Sequence, residues 1–159
     1  MVPIHYAYYP SPIGLIELGV MPDALTTLFF VEGPRHAIEN ALGLNPVLQE
    51  VLQQIDEYFA STRSAFTVPL SFQGTDFQRR VWQQLLTVPY GRTQSYQGIA
   101  NALGNPKAVR AVGAANGQNP ISLIAPCHRI IGSNGSLIGY GGGLWRKEWL
   151  LKHEGYLLA

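Results

Sequence analysis

The sequence predicts an α+β protein in two parts: a small N-terminal antiparallel sheet covered by one helix, then a mainly helical C-terminal part containing a helix-turn-helix. Three observations predict it. Short aromatic and β-branched runs separated by turn residues fill the first 31 positions, and two short helical stretches flank a single glycine after position 94. Hydrophobic residues make up 47% and charged ones 13%, against roughly 25% charged in an ordinary soluble domain, which excludes disorder and coiled coil. A length of 159 residues suffices for a real core and not for several large domains.

Ile4 to Tyr9, Gly14 to Gly19 and Leu25 to Val31 read as an antiparallel meander, broken by Pro-Ser-Pro and Met-Pro-Asp turns. From Pro46, the residues Val47, Leu48, Val51, Leu52, Ile55, Tyr58 and Phe59 recur at helical spacing, so one amphipathic helix covers the sheet. Nothing in this part carries chemistry. It forms an N-terminal α/β domain at 1–69, and Ala60 to Gly74, with Pro69 and a final glycine, reads as linker.

The C-terminal domain, 75–159, opens with Thr75 followed three residues later by Gln78, the capping-box pattern of a helix start. Phe77, Val81, Trp82, Leu85 and Leu86 supply its buried face. Ser95 then caps a short helix that Gly104 ends. Asn105 caps another, whose first position is Pro106, a residue favoured there because its missing N–H has no partner to lose. Two short helices about one tight turn spell helix-turn-helix. In the second, Val109 and Val112 face the core, leaving Lys107, Arg110, Ala111 and Ala114 on other faces. Small side chains around one arginine suit approach to a nucleic-acid groove, or else tight helix packing.

The net charge of +1 conceals an asymmetry. Through Gly74 the chain holds two basic against seven acidic residues; beyond it, nine against three. An acidic part joined to a basic one points to a polyanionic partner. No run approaches the ~18 apolar residues of a membrane span, and the N-terminus lacks a basic segment followed by an apolar one. A cytoplasmic, soluble protein is expected.

The single cysteine, Cys127, cannot form an intrachain disulfide, and no histidine pair has metal spacing, so no metal is expected. Ile121 to Ala125 is a short apolar run, read as a buried strand that delivers Pro126-Cys127-His128-Arg129. A free cysteine has a pKa of ~8.5 and needs a base or a positive charge to become a nucleophile. His128 and Arg129 stand next door. A cysteine in an apolar run is ordinarily inert core, and the neighbouring His and Arg shift the reading toward reactivity. If Cys127 and His128 are extended, their side chains point to opposite sides, so proton transfer needs a bridging water or a turn at Pro126. Glu154 ends a helical stretch from Leu144, where a carboxylate opposes the macrodipole unless it has a partner; His128 is the candidate. Asn134-Gly135 suits a type I′ turn, and the glycines that follow permit close approach of a flat ligand. Neither GxGxxG nor GxxxxGK[ST] is present, and no cofactor is indicated.

Asn119-Pro120, APCHRIIG from Ala125, GYGGG from Gly139 and KEWLLKHEG from Lys147 together resemble the O6-alkylguanine-DNA alkyltransferases. The resemblance is close from Thr75 to Gly155, and in length and layout only before that. It implies a ribonuclease H-like N-terminal domain, a winged-helix-like C-terminal domain, and direct, irreversible, single-turnover transfer of an alkyl group from O6 of guanine, and O4 of thymine, to the protein. Cys127 is then the acceptor, His128 its activator through water, Glu154 the residue orienting His128, and Asn119 an organiser of the loop. Tyr96 would donate toward the departing guanine, and Arg110 would fill the gap left by the extruded nucleotide. Gln97, Asn105 and Ser133 would touch the DNA backbone, with Tyr140, Gly141 and Gly142 bordering the base pocket. The partner is double-stranded DNA carrying alkylated guanine, met by a monomer without cofactor. Some members carry a Cys-based zinc site in the N-terminal domain, which one cysteine cannot build, and Gly141 stands where some relatives have Ser.

Three other functions are weighed. An alkyltransferase-like protein binds the lesion without transfer and has Trp in place of the nucleophile, against which Cys127 argues. A helix-turn-helix transcription regulator has no use for the Cys and the glycine loop. A thiol hydrolase would need an oxyanion hole that no pattern supplies.

Overall fold

The computed structural model describes residues 4–36 and 45–156, which fall into two compact units, Met1–Phe72 and Gln73–Ala159. In the first, β1 (His5–Ser11), β2 (Gly14–Met21) and β3 (Ala24–Val31) pair antiparallel in the order β1-β2-β3. The meander read from the sequence is therefore present. Ile16, Leu18 and Val20 of β2 are fully buried on one face, and Glu17 and Gly19 between them are buried as well. Helix α1 (Pro46–Phe59) packs on β3 and contributes Val51, Ile55 and Tyr58, each fully buried. Its start is set by Asn45, whose Oδ1 accepts from the backbone N–H of Val47 at 2.8 Å and of Leu48 at 3.1 Å, with Pro46 in the first position.

The segment read as a linker is in part structure. Leu25 donates to the Pro69 carbonyl and accepts from the Ser71 N–H, both at 2.9 Å, so the chain after α1 returns alongside β3, and Val68 and Phe72 are buried. Proline and serine hid this, because pairing of one residue leaves no alternation to read.

In the second unit, α2 (Asp76–Leu85) begins with both bonds of the capping box: Gln78 N–H to Thr75 Oγ1 at 3.1 Å, and Thr75 N–H to Gln78 Oε1 at 2.9 Å. Val81, Trp82 and Leu85 are buried, but Leu86, at the C-cap, is 40% exposed; the apolar stripe outruns the helix. The Trp82 indole donates to the Ala115 carbonyl at 2.8 Å, tying α2 to the helix that carries Ala115. A two-residue strand β4 (Gln94–Ser95) pairs in parallel with β5 (Ile130–Ile131), too short to show any period. Ser95 also caps α3 (Tyr96–Ala102), its Oγ accepting from Gly98 N–H at 2.8 Å. Gly104, at φ +75°, turns the chain in a left-handed conformation that a Cβ disfavours.

Helix α4 spans Val109–Gly117, so the helix expected from Pro106 starts three residues later. Asn105 does not cap it: its carbonyl accepts from Ala108 N–H at 3.0 Å, closing a β-turn. A proline with φ near −65° suits the second position of such a turn as well as a helix start, so sequence alone does not separate the two. The last helix is α5 (Leu144–His153).

Candidate active site

Ile121 to Ala125 is a buried run of turns and not a strand. Ile124 N–H bonds back to Ser122 at 2.8 Å, Ala125 N–H to Ile121 at 3.0 Å, and Leu123 sits at φ +72°, so the apolar residues that suggested a strand serve burial alone. Asn119, 5% exposed, spans this loop: its Oδ1 accepts from Ile121 N–H at 3.0 Å and its Nδ2 donates to the Ala125 carbonyl at 2.8 Å.

The loop delivers Cys127–Arg129 as one turn of 3₁₀ helix. Cys127 is 4% exposed. Burial pushes its thiol pKa up, and hydrogen bonds from the Asn119 and Ser122 side chains and the Lys147 charge work the other way. In the resting protein the thiol is protonated and needs a base.

His128 is fully buried, with Nε2 2.8 Å from Glu154 Oε2. Glu154 caps the end of α5. It also receives Arg129, Nε to Oε1 at 2.8 Å and Nη2 to Oε2 at 3.0 Å, while Arg129 Nη1 donates to the Val88 carbonyl at 2.7 Å. Burial alone would raise the Glu154 carboxyl, but the His128 and Arg129 hydrogen bonds and charges hold it well below the usual carboxylate range. Burial lowers the His128 pKa despite Glu154. Arg129 already balances the carboxylate, so His128 stays neutral. With Nε2 facing a carboxylate, the ring proton belongs there. Nδ1 is left as an acceptor, buried and without a protein partner, which is the state of a general base. The sequence placed Arg129 beside Cys127 as a source of charge; the structure gives it to Glu154 and Val88.

Sequence reasoning missed Lys147. It is fully buried, and its Nζ donates to the carbonyls of Ile130, Ile138 at 2.9 Å and Gly139 at 3.1 Å. Desolvation brings its pKa down to about 8, against which the Cys127 charge pulls upward. Its helix carries charged neighbours on exposed positions, so only the absence of any acidic partner at helical spacing could have marked it.

A cavity of about 470 Å³ is lined by Tyr96, Gln97, Val109 and Gly113 on one side and by Gly132, Ser133, Ile138 and Gly139 on the other. The Tyr96 hydroxyl donates to the Ile138 carbonyl at 2.8 Å, and its pKa is raised by burial and by the Cys127 charge. Tyr140, Gly141 and Gly142 were expected along this pocket and are not in its lining. Lys147 binds the carbonyls of Ile138 and Gly139, and Arg146 Nη1 donates to that of Gly142 at 2.8 Å. The Tyr140 hydroxyl is buried with no partner, its pKa well raised by burial and then by Cys127.

The turn before that loop is not type I′. Gly135 N–H bonds to the Gly132 carbonyl at 2.9 Å, and of the turn's residues Gly135 alone, at φ +86°, has positive φ, whereas type I′ needs it at both central residues.

Arg110 is exposed on α4 with Ala111 and Ala114, Lys107 and Asn105 are exposed in the turn before it, and Ser133 is exposed on the cavity rim. Gln97 Nε2 is engaged by Asn101 Oδ1 and the Pro106 carbonyl, both at 2.9 Å. Among the described residues no cluster of three His, Cys, Asp or Glu could hold a metal ion, and no helix is long and apolar enough to cross a membrane.

Comparison with known proteins bears on this arrangement. The family profile described as 6-O-methylguanine DNA methyltransferase, DNA binding domain, matches residues 76–156, and that of the same family's ribonuclease-like domain matches residues 4–72. A relative from Mycobacterium bovis named methylated-DNA–protein-cysteine methyltransferase is 47% identical over 95% of this chain and 92% of its own. One of that name from Methanosarcina acetivorans is 45% identical over 96% and 99%. Among solved structures, Mycobacterium tuberculosis O6-methylguanine methyltransferase has a TM-score of 0.84 at 44% identity, over 99% of this chain and 96% of that one. Mycobacterium tuberculosis OGT in complex with DNA has a TM-score of 0.85 at 46% identity, over 94% and 92%.

Proposed function

This chain belongs to the 6-O-methylguanine DNA methyltransferase family, and from that membership we propose that it repairs alkylated DNA directly, moving the alkyl group irreversibly from O6 of guanine, and from O4 of thymine, to Cys127. The observation that carries the assignment is the buried Cys127 turn, with a neutral His128 whose free Nδ1 can take the thiol proton through a water, held by Glu154 and Arg129. A site that must hold a water needs such an unsatisfied polar atom.

The chemistry is an in-line displacement. The Cys127 thiolate attacks the alkyl carbon, the carbon–oxygen bond breaks, and the base departs as an anion unless protonated. Tyr96, in the cavity wall, gives that proton, which lowers the barrier. A lesion inside a duplex reaches the cavity only if the nucleotide is flipped out, at a cost of a few kcal/mol that damage reduces. Arg110 on the exposed face of α4 takes the vacated place, and Gln97, Asn105 and Ser133 hold the backbone, offsetting that cost. Asn119 orders the loop that presents Cys127. The thioether is not readily reversed, so each molecule acts once and needs no cofactor.

A lone reactive thiol is kept reduced in the cytoplasm, where we place the protein as a monomer on double-stranded DNA. The test is intact mass spectrometry after incubation with an O6-methylguanine duplex. One methyl gained on Cys127, absent in Cys127→Ser, is expected; unchanged mass with retained lesion binding would make the protein a lesion-binding module.

A further inference from the structure

The turn that follows α2 belongs to no role yet described. Arg92 N–H bonds to the Pro89 carbonyl at 3.1 Å, and Gly91 takes φ +75° at the third position, where a type II turn needs a positive φ and therefore favours glycine. The segment lies against both partners of the buried ion pair. The Val88 carbonyl receives Arg129 Nη1 at 2.7 Å, and the Tyr90 ring centroid is 5.9 Å from the Arg129 guanidinium carbon, within cation–π range. Gly91 N–H donates to Glu154 Oε1 at 3.3 Å.

That last bond completes a set. Among the described residues, four N–H groups converge on the Glu154 carboxylate: Arg129 Nε and Gly91 N on Oε1, Arg129 Nη2 and His128 Nε2 on Oε2. A carboxylate offers about four lone-pair sites, so its rotation is fixed, and with it the direction in which His128 Nδ1 faces. Gly91 meets the same residue a second time. A Cβ at position 91 would stand 3.1 Å from the Glu154 backbone carbonyl oxygen, inside ordinary van der Waals contact, so any side chain there must push Glu154 aside. Asparagine tolerates a left-handed backbone; it would relieve the strain at φ +75° and keep the clash.

We infer that Gly91 is a positioning residue for alkyl transfer: its N–H and its missing side chain fix the Glu154 carboxylate, and through it the His128 ring, where Nδ1 receives the Cys127 proton. The inference rests on the alkyl-transfer reading above. The thiol proton passes through water to Nδ1, the sulfur bonds to the alkyl carbon, and the carbon–O6 electron pair leaves with guanine as Tyr96 gives the base its proton. The imidazolium proton then returns to the Tyr96 phenolate through solvent, so charge and protons balance. A base out of place loses part of its advantage, since a misplacement of about 1 Å costs on the order of 10²-fold. The loss ends where the thiol ionises without help, because the placement of His128 then no longer matters.

The experiment separates placement of the base from folding and from DNA binding. Full-length wild type, Gly91→Ala and Gly91→Asn are each reacted with a saturating O6-methylguanine duplex from about pH 7 to about pH 9.5, a span that brackets an ordinary thiol pKa. Methylation is read on the Cys127 peptide by mass, and melting temperatures are measured alongside. Both variants should transfer about tenfold more slowly than wild type at about pH 7, with half-saturating DNA concentration unchanged, and the gap should close to within about twofold at the alkaline end. The charged and titratable groups facing Cys127 and His128 are Lys147, Tyr96, Tyr140, Arg129 and Glu154; all three proteins share them, so they cancel in the ratio of rates. Gly91→Asn should melt above Gly91→Ala without recovering rate, and it carries the comparison should the Ala variant not fold. A wild-type rate in Gly91→Asn makes Gly91 a turn former alone and overturns the role, as does a deficit that stays constant with pH or lies in DNA affinity. A wild-type protein that takes no methyl from the duplex overturns the alkyl-transfer reading itself.

Discussion

Arg129 and Glu154 meet in a two-pronged buried ion pair, at 2.8 and 3.0 Å, on the same carboxylate that touches His128 at 2.8 Å. The order of these partners matters chemically. A carboxylate alone beside His128 would draw a proton onto the ring and fill the site a base needs free; with Arg129 in place, the carboxylate orients the ring and leaves it neutral.

Removing the cation should expose this. In Arg129→Ala the Glu154 charge stays buried with only His128 to answer it, so the His128 pKa should rise. Stability should fall by about 3–5 kcal/mol, as for other broken buried pairs. Histidine NMR titration and urea unfolding give the two readings, and a slower methyl transfer near neutral pH should accompany them.

Acid sensitivity follows from the same residues. Glu154 is held well below its unfolded value of ~4.3, so the stability it contributes is complete above that pH and is lost as pH falls toward the folded value. His128, lowered by burial, adds a loss beginning below its unfolded value of ~6.5, because only the unfolded chain accepts its proton there. Urea midpoints should therefore decline from about pH 6.5 downward, and more steeply below about pH 4. Glu154→Gln should flatten the lower limb.

Lys147 makes a prediction of the same sense in the alkaline range. Its pKa is near 8 in the folded protein and ~10.4 unfolded, so between those values its burdensome charge is shed only by the native state, and its contribution to stability rises with pH. Lys147→Met should abolish that rise. It should also move the Cys127 thiol pKa up, seen as a shift in the pH dependence of iodoacetamide labelling.

Tyr140→Phe should not destabilise the protein. The hydroxyl is buried and bonded to nothing, so its removal relieves up to about 1–3 kcal/mol of unmet hydrogen bonding. A melting temperature equal to or above wild type is expected.

Arg110→Ala should slow repair of a duplex more than reaction with free O6-benzylguanine, by at least about tenfold, since only the duplex must be opened. Equal losses on both would remove Arg110 from extrusion.

Much of this was legible in the residues. Thr75 and Gln78 announced both bonds of a capping box, and the meander showed in three β-branched runs. PCHR and HEG pointed to His128 and Glu154, which the fold brings to 2.8 Å. What stayed hidden was conformational or three-dimensional. Pro106 fits a turn and a helix start equally, and Ile121 to Ala125 has the composition of a strand but the backbone of a turn. Lys147 looks like any helix lysine until its three carbonyl partners, from residues 8 to 17 positions away, are folded around it.

Leu123 places a limit on what the chain can become. Fully buried and at φ +72°, it occupies a backbone conformation that a residue branched at Cβ tolerates least. The position accordingly asks for two incompatible virtues, bulk for the interior and freedom at the backbone. Glycine would satisfy the second and forfeit the first; valine or isoleucine would do the reverse. Leucine, whose branch lies one carbon further out, reconciles them, so the range of substitutions open at this position should be far narrower than its hydrophobicity alone suggests.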